Sequence, residues 1–471
     1  MRSAPGELGR KNRLPAVKRQ QQNAPTLWGL AYAGCIALST LRGYFHLVEL
    51  PWFVTQFSYA AILLMGAVWV FYSGQTDRVN RSVNLMLLQM LPNLIALGWS
   101  IALWVARQEP LSLILRGSSL ILYQLLLLAM LIGAGVLFGE GAIEWTSAGF
   151  ILANSLILLD VMRLNGVGAT ISGMVTFLAS AGSQDNAISL QLEVQDVTFG
   201  IAILLLYYLA AGRGKPRRWF HVAALAFYFL LGFKRILFPA LVLGGGYFLL
   251  MEHMREKAQK KVTVAIGLIL MAVSLGYVVL IRTGLWFEIC EQLGIDLMGR
   301  KRLYGYMESY YDVSPTYLGL GNGMVSTVLE ALEKTGNRRL HSDVLRLYVE
   351  LGMPVFLLWC TVTFIYTYTH LSKKYSMRVA AVYMAVTLLM FVTFLTDNTL
   401  EKYCPEIAWH LLPMAMALGE MEAGADGAGE YPLLTGERTK KWAENNDPPR
   451  GPEKAAQALR HFRMETWADR R

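Results

Sequence analysis

The chain is poor in charge and in cysteine. Only 16% of its 471 residues are Asp, Glu, Lys or Arg, while 54% are hydrophobic and the mean hydropathy is +0.38. That composition excludes an ordinary soluble core and points to a membrane protein. The four cysteines, Cys35, Cys290, Cys360 and Cys404, show no CxxC spacing, so neither a thiol redox motif nor a cysteine-built zinc site is expected. Cys35 and Cys360 lie in apolar runs and read as packing residues. Cys290 and Cys404 fall on one expected side, but their spacing gives no reason to pair them. There is no HExxH, no Walker A, no GxSxG and no carboxylate triplet with metal spacing. Those chemistries therefore have no footing, and no metal site is expected. No internal repeat is visible, which weakens a secondary-transporter reading. A cleavable leader is not expected either, because the polar, basic first 26 residues run into an apolar stretch without a small-residue cleavage site.

What the chain does have is a series of continuous apolar runs of about 17–25 residues, each enough for a helix across a ~30 Å hydrocarbon layer. In lipid only helices or closed barrels satisfy the backbone, and continuous rather than alternating apolarity selects helices. The expected fold is an all-α polytopic membrane protein with about 12 transmembrane helices. They are placed at about 27–46, 54–74, 85–106, 117–139, 145–164, 197–212, 219–233, 236–251, 262–282, 353–370, 379–397 and 407–421. A basic cytoplasmic tail (1–26) precedes this 27–421 domain, and a disordered cytoplasmic tail (422–471) follows it. The net charge of +9 does not call for nucleic acid, because most basic residues sit in short loops. With both termini inside, the inner loops hold Arg78 and Arg81; Arg213, Lys215, Arg217 and Arg218; Arg255, Lys257, Lys260 and Lys261; and Lys373, Lys374 and Arg378. This agrees with the positive-inside rule. The weak joint is the short 140–144 loop, which carries only Glu140 and Glu144.

Two outer segments are long, about 165–196 and 283–352. The second is a partly helical loop between spans 9 and 10, and it holds the densest outer positive charge, Arg300, Lys301 and Arg302. Outer basic clusters run against topology, and an anionic ligand would account for this one; a solvated face is the plainer account. Lys234-Arg235 interrupts the apolar run 219–251. Loop parity requires two crossings between Arg218 and Arg255, so the pair should mark a tight outward turn. These two are either snorkelling interfacial residues or phosphate binders at the mouth of the bundle. His341 precedes Ser342-Asp343, either of which suits a helix N-cap. The positive helix end and nearby arginines should keep its imidazole neutral, as a general base requires; an ordinary interfacial histidine is the alternative. Arg346 and Glu350, four apart, should pair on one helix face. Gly319, Gly321 and Gly323 follow no strand–helix unit, so they form no dinucleotide fingerprint; a tight turn near a ligand is expected. Asp397 is placed to orient a sugar hydroxyl or to end its helix.

Taken in order, Lys234-Arg235 between two short spans, Gly299-Arg300…Tyr304, Gly319-Leu320-Gly321 and His341…Asp343…Leu345…Tyr348…Glu350…Gly352 form a pattern. The pattern resembles the O-antigen polymerase and O-antigen ligase superfamily of bacterial membrane glycosyltransferases. It covers roughly residues 190–400, and the first five spans match only in number and hydropathy. The resemblance implies a multi-pass plasma-membrane enzyme with its active site on the outer face. Its donor would be an oligosaccharide on undecaprenyl diphosphate, with membrane lipid, a flippase and a chain-length regulator as partners. It implies diphosphate binding by Arg235 and Arg300, with Arg302 and Lys234 as further candidates, and action of His341 on the acceptor hydroxyl. Family activity is viewed as metal-independent, with no cofactor. This chain departs from the pattern in having Lys234 before Arg235 and a richer basic cluster at 300–302.

Overall fold

The computed structural model describes residues 24–425 apart from 43, 52, 180–190, 193–194, 216, 233, 296, 298 and 333–338. The tails expected to be disordered fall largely outside the described residues, as does part of the first long outer segment. The described chain is all helical, with no strand among the described residues. Six stretches are long and apolar enough to cross a membrane: Val54–Ser73, Thr76–Ala106, Leu111–Asn165, Glu256–Arg282, Asp343–Lys374 and Met377–Thr396. Shorter apolar helices accompany them at Thr26–Leu41, Val167–Ala179, Val197–Ala210, Arg218–Gly232 and Leu237–His253. The chain ends its described part with Tyr403–Ala425.

Local chemistry sets the helix ends. Ser342 and Ser376 cap their helices by accepting the N–H of Leu345 at 3.2 Å and of Val379 at 3.1 Å, each meeting an otherwise unpaired donor. Small residues let helices approach closely: a Cβ on Gly66 would lie 2.8 Å from the Gly133 Cα, the kind of contact that packs helices in lipid. Lys234 and Arg235 sit in a turn between Arg218–Gly232 and Leu237–His253, as loop parity required.

Polar contacts gather at the two ends of the bundle. At one end Arg78 reaches Glu422 (2.7 Å), Lys215 reaches Glu140 (2.5 Å), Arg217 lies 3.5 Å from Glu144, and Arg378 donates to the Ala211 carbonyl (2.6 Å). The acidic 140–144 loop thus belongs with the basic loops and is neutralised by them. At the other end Arg107 donates to the Gly319 carbonyl (2.7 Å), Arg116 pairs with Glu330, and the Asn322 amide reaches the Gly117 carbonyl (3.0 Å). These bonds tie the 283–352 segment onto the bundle. Cys290 and Cys404 are both buried and no disulfide joins them.

A bend at Gly352 (φ 73°) separates the first turns of the Asp343 helix from its membrane portion. The Gly319–Gly323 turn packs into that bend. Its glycines all have positive φ, and a Cβ on Gly319 would sit 2.4 Å from the Glu350 carbonyl oxygen. Gly321 N–H donates to that same oxygen at 2.8 Å, and the Glu350 carboxylate accepts Gly323 N–H at 2.8 Å. The glycine turn is therefore a seat for the bend.

Candidate functional site

The 396–402 loop, between helices Met377–Thr396 and Tyr403–Ala425, is the hub of the site. Asp343 holds it twice: its backbone N–H donates to the Asp397 carbonyl (3.1 Å), and its carboxylate accepts Leu400 N–H (2.8 Å). Asp343 also pairs with Arg346 (3.0 Å), and Arg346 reaches Glu350 (3.4 Å) and Glu401 (3.4 Å). The expected Arg346–Glu350 pair is present, inside a larger buried cluster of one guanidinium and three carboxylates. Arg339 holds the outer side of Glu401 at 3.5 Å.

Arg300 opens the helix Arg300–Met307 and donates to the Thr396 carbonyl at 2.9 Å. Of the basic cluster it alone is half-buried; Lys301 and Arg302 are exposed, with Lys301 5.8 Å over the Phe287 ring. His341 is one of three non-glycine residues with positive φ (57°) among the described residues. Such a conformation costs on the order of 1–3 kcal/mol and persists where surroundings enforce it. Here the N-cap beyond it and the Tyr304 hydroxyl, which donates to its carbonyl at 3.4 Å, do so.

Burial pushes the His341 pKa down; Asp397 pulls it up, while Arg300, Lys402 and Arg339 push it down again, and the net result lies below the ordinary histidine value. The neutral ring expected from sequence is thus supported, with burial rather than the helix end as the leading cause. For Asp397 burial acts to raise the pKa, but Lys402, the Asn398 N–H, Lys234 and His341 outweigh it and hold the carboxyl below its usual range. Asp397 thus feels the charge of Lys402, Lys234 and His341, with Lys402 in direct contact. Lys402 Nζ lies 3.3 Å from Asp397 and 4.4 Å over the Phe199 ring, with the residue 1% exposed.

Lys234, Arg300 and His341 are brought together around Asp397. Arg235 and Arg302 are exposed and are not among the charges that chiefly act on His341 or Asp397. Lys402 and Asn398 escaped sequence reading. A Lys one residue before an apolar helix looks interfacial, and the only signal was the run Asp397-Asn398…Glu401-Lys402 between two spans.

Several buried polar atoms at this hub make no hydrogen bond among the described residues: Arg300 Nε, Thr396 Oγ1 and both amide atoms of Asn398. An unmet buried polar atom costs about 1–3 kcal/mol, so a polar guest is favoured there. The arrangement combines three cations, a neutral imidazole and unmet donors. It can bind an anion and take a proton from a neighbouring hydroxyl. No group of three metal-ligating side chains occurs among the described residues. Comparison with known family models and with curated proteins finds no match.

Proposed function

We propose that the chain is a twelve-span glycosyltransferase with both termini cytoplasmic and its site on the outer face of a bacterial plasma membrane. It extends a polysaccharide from an undecaprenyl-diphosphate-linked donor to a lipid-linked acceptor sugar. The observation that carries this reading is the convergence of Lys234, Arg300, His341 and Lys402 on the Asp397 loop. Diphosphate departure needs charge stabilised at the leaving oxygen, which fixed cations supply. The acceptor hydroxyl needs a base, which a neutral His341 supplies. The acceptor oxygen attacks the anomeric carbon, the bond to the diphosphate breaks with its electron pair going to the leaving oxygen, and the hydroxyl proton passes to His341. Arg300 is the cation best held for the diphosphate, with Lys234 at the rim, Lys402 buried behind it on Asp397, and Arg235 and Arg302 exposed. The twelve-span count rests on each apolar run coinciding with a helix.

Transfer of a finished glycan to another acceptor uses the same chemistry, and acceptor choice in an assay separates the two. A transporter reading would need a path through the bundle; the polar cavity in its middle, at about 30 Å³, holds no sugar, and the larger one of about 290 Å³ lies at the Glu140–Lys215 end. The test is transfer by purified protein from lipid-linked oligosaccharide, with elongation products resolved by size. His341→Ala should yield none while remaining folded, and normal product from that variant would remove the assignment. A cysteine placed at Glu330 should label from outside only; labelling from the cytoplasm alone would overturn the topology.

A further inference from the structure

Below the outer site the bundle has a polar interior. The cavity of about 30 Å³ has Gln89, Arg346, Thr363, Tyr383, Glu406 and His410 in its wall. That is room for about two waters. Glu406 and His410 lie one turn apart on Tyr403–Ala425, and both are at least 95% buried. Ionisable residues this buried are costly and ask for a function.

Hydrogen-bond directions settle where the protons are. Gln89 Nε2 donates to the His410 carbonyl oxygen at 3.2 Å. Its amide oxygen, an acceptor only, then lies 3.0 Å from His410 Nδ1, so Nδ1 must carry a proton. A neutral ring protonated at Nδ1 has a bare acceptor at Nε2, and Nε2 is 3.2 Å from Glu406 Oε2. Two bare acceptors facing one another in a buried site would each be unsatisfied and mutually repelled. One proton must therefore lie between them, as imidazolium against carboxylate or as imidazole against carboxylic acid. Glu406 Oε1 has no partner among the described residues, nor has Thr363 Oγ1, and both residues border the cavity.

We infer that Glu406 and His410 form a buried proton-binding site that exchanges its proton with water held in this cavity. Stacking of Trp409 on the His410 ring at 4.6 Å keeps the imidazole in line. The other charged or titratable groups nearby are committed elsewhere. Arg346 is held by Asp343, Glu350 and Glu401; Lys402 by Asp397; and the Tyr383 hydroxyl donates to the Thr363 carbonyl at 2.8 Å. A proton arriving from water is accepted by the pair, and a proton leaving returns to water, so no other reactant takes part.

The test is nitrogen-15 NMR of the full chain, labelled at histidine and held in lipid nanodiscs, with His410 identified by loss of its signals in His410→Gln. At neutral pH, His410 should show a protonated Nδ1 and an Nε2 that carries or shares a proton. Glu406→Gln presents an amide donor to Nε2 and should leave that nitrogen bare, so the proton held between the two side chains is gone. Gln89→Leu removes the acceptor at Nδ1 and should turn the ring to the Nε2–H tautomer, which keeps the inference testable if Glu406→Gln does not fold. A bare Nδ1 with an ordinary Nε2–H in the unmodified chain would overturn it. So would an Nε2 signal unaffected by Glu406→Gln, or ring protons that do not exchange with deuterated water.

Discussion

Replacing Arg346 by Met tests the buried cluster that positions the site. The guanidinium contacts Asp343, Glu350 and Glu401 at 3.0, 3.4 and 3.4 Å, and the first two carboxylates are at most 1% exposed. Methionine matches much of the apolar volume but leaves three carboxylates sharing one pocket, with the partly exposed Arg339 on Glu401. Removing one partner of a buried ion pair costs about 3–5 kcal/mol, and a charge shared by three acids should approach the upper half of that range only at alkaline pH. The sign with pH follows from linkage. In the variant, crowded carboxylates favour their protonated forms in the folded state, so the penalty grows as pH rises above neutral and shrinks as acid supplies protons. Thermal unfolding in lipid nanodiscs across that range measures it, with Arg346→Lys as a control that keeps charge but loses the planar fork. A melting temperature for Arg346→Met unchanged at alkaline pH, or a loss independent of pH, would refute the reasoning.

Four further outcomes are expected. Transfer by the unmodified protein should fall in acid as His341 protonates, with the midpoint below the ordinary histidine value of about 6.5 because burial lowers its pKa; a pH–rate profile locates it. Lys402→Met removes a cation that holds His341 down, so that acid limb should move to higher pH while donor use weakens, and an unmoved limb would detach Lys402 from the site. Arg300→Ala loses a charge-assisted bond worth about 1.5–3 kcal/mol, so donor-limited transfer should drop roughly 10–150-fold. Gly352→Ala should lower the melting temperature, since its Cβ would sit 2.2 Å from the Leu318 carbonyl carbon at φ 73°, and an unshifted melt would show that the bend tolerates a side chain.

The sequence made some of this legible because the relevant signal is local. Apolar run length marked the helices, loop parity marked the Lys234–Arg235 turn, and spacing of four joined Arg346 to Glu350. Contacts across long stretches of chain left no such mark. Glu401 completes the Arg346 cluster from a different loop, and Lys402 reaches Asp397 only because that loop folds back under the Asp343 helix. Adjacent basic residues were equally opaque. Nothing in the order Lys234-Arg235 or Arg300-Lys301-Arg302 says which side chain turns inward, since helix phase and burial decide that. The Gly319–Gly323 turn was legible as a turn but not in its purpose, because its partner at Gly352 lies beyond the Asp343 helix start.

The position of the 396–402 loop in the chain also orders events during synthesis. A membrane protein is delivered to the bilayer from its N-terminus, so Lys234, Arg300 and His341 reach their places while the Asp397 loop is still to come. Until that loop arrives there is no Leu400 N–H for the Asp343 carboxylate, no Thr396 carbonyl for Arg300, and no Asp397–Lys402 pair beside His341. An unfinished chain therefore has every earlier piece of the proposed site and none of its centre, so the proposed transfer waits until the 396–402 loop has been made.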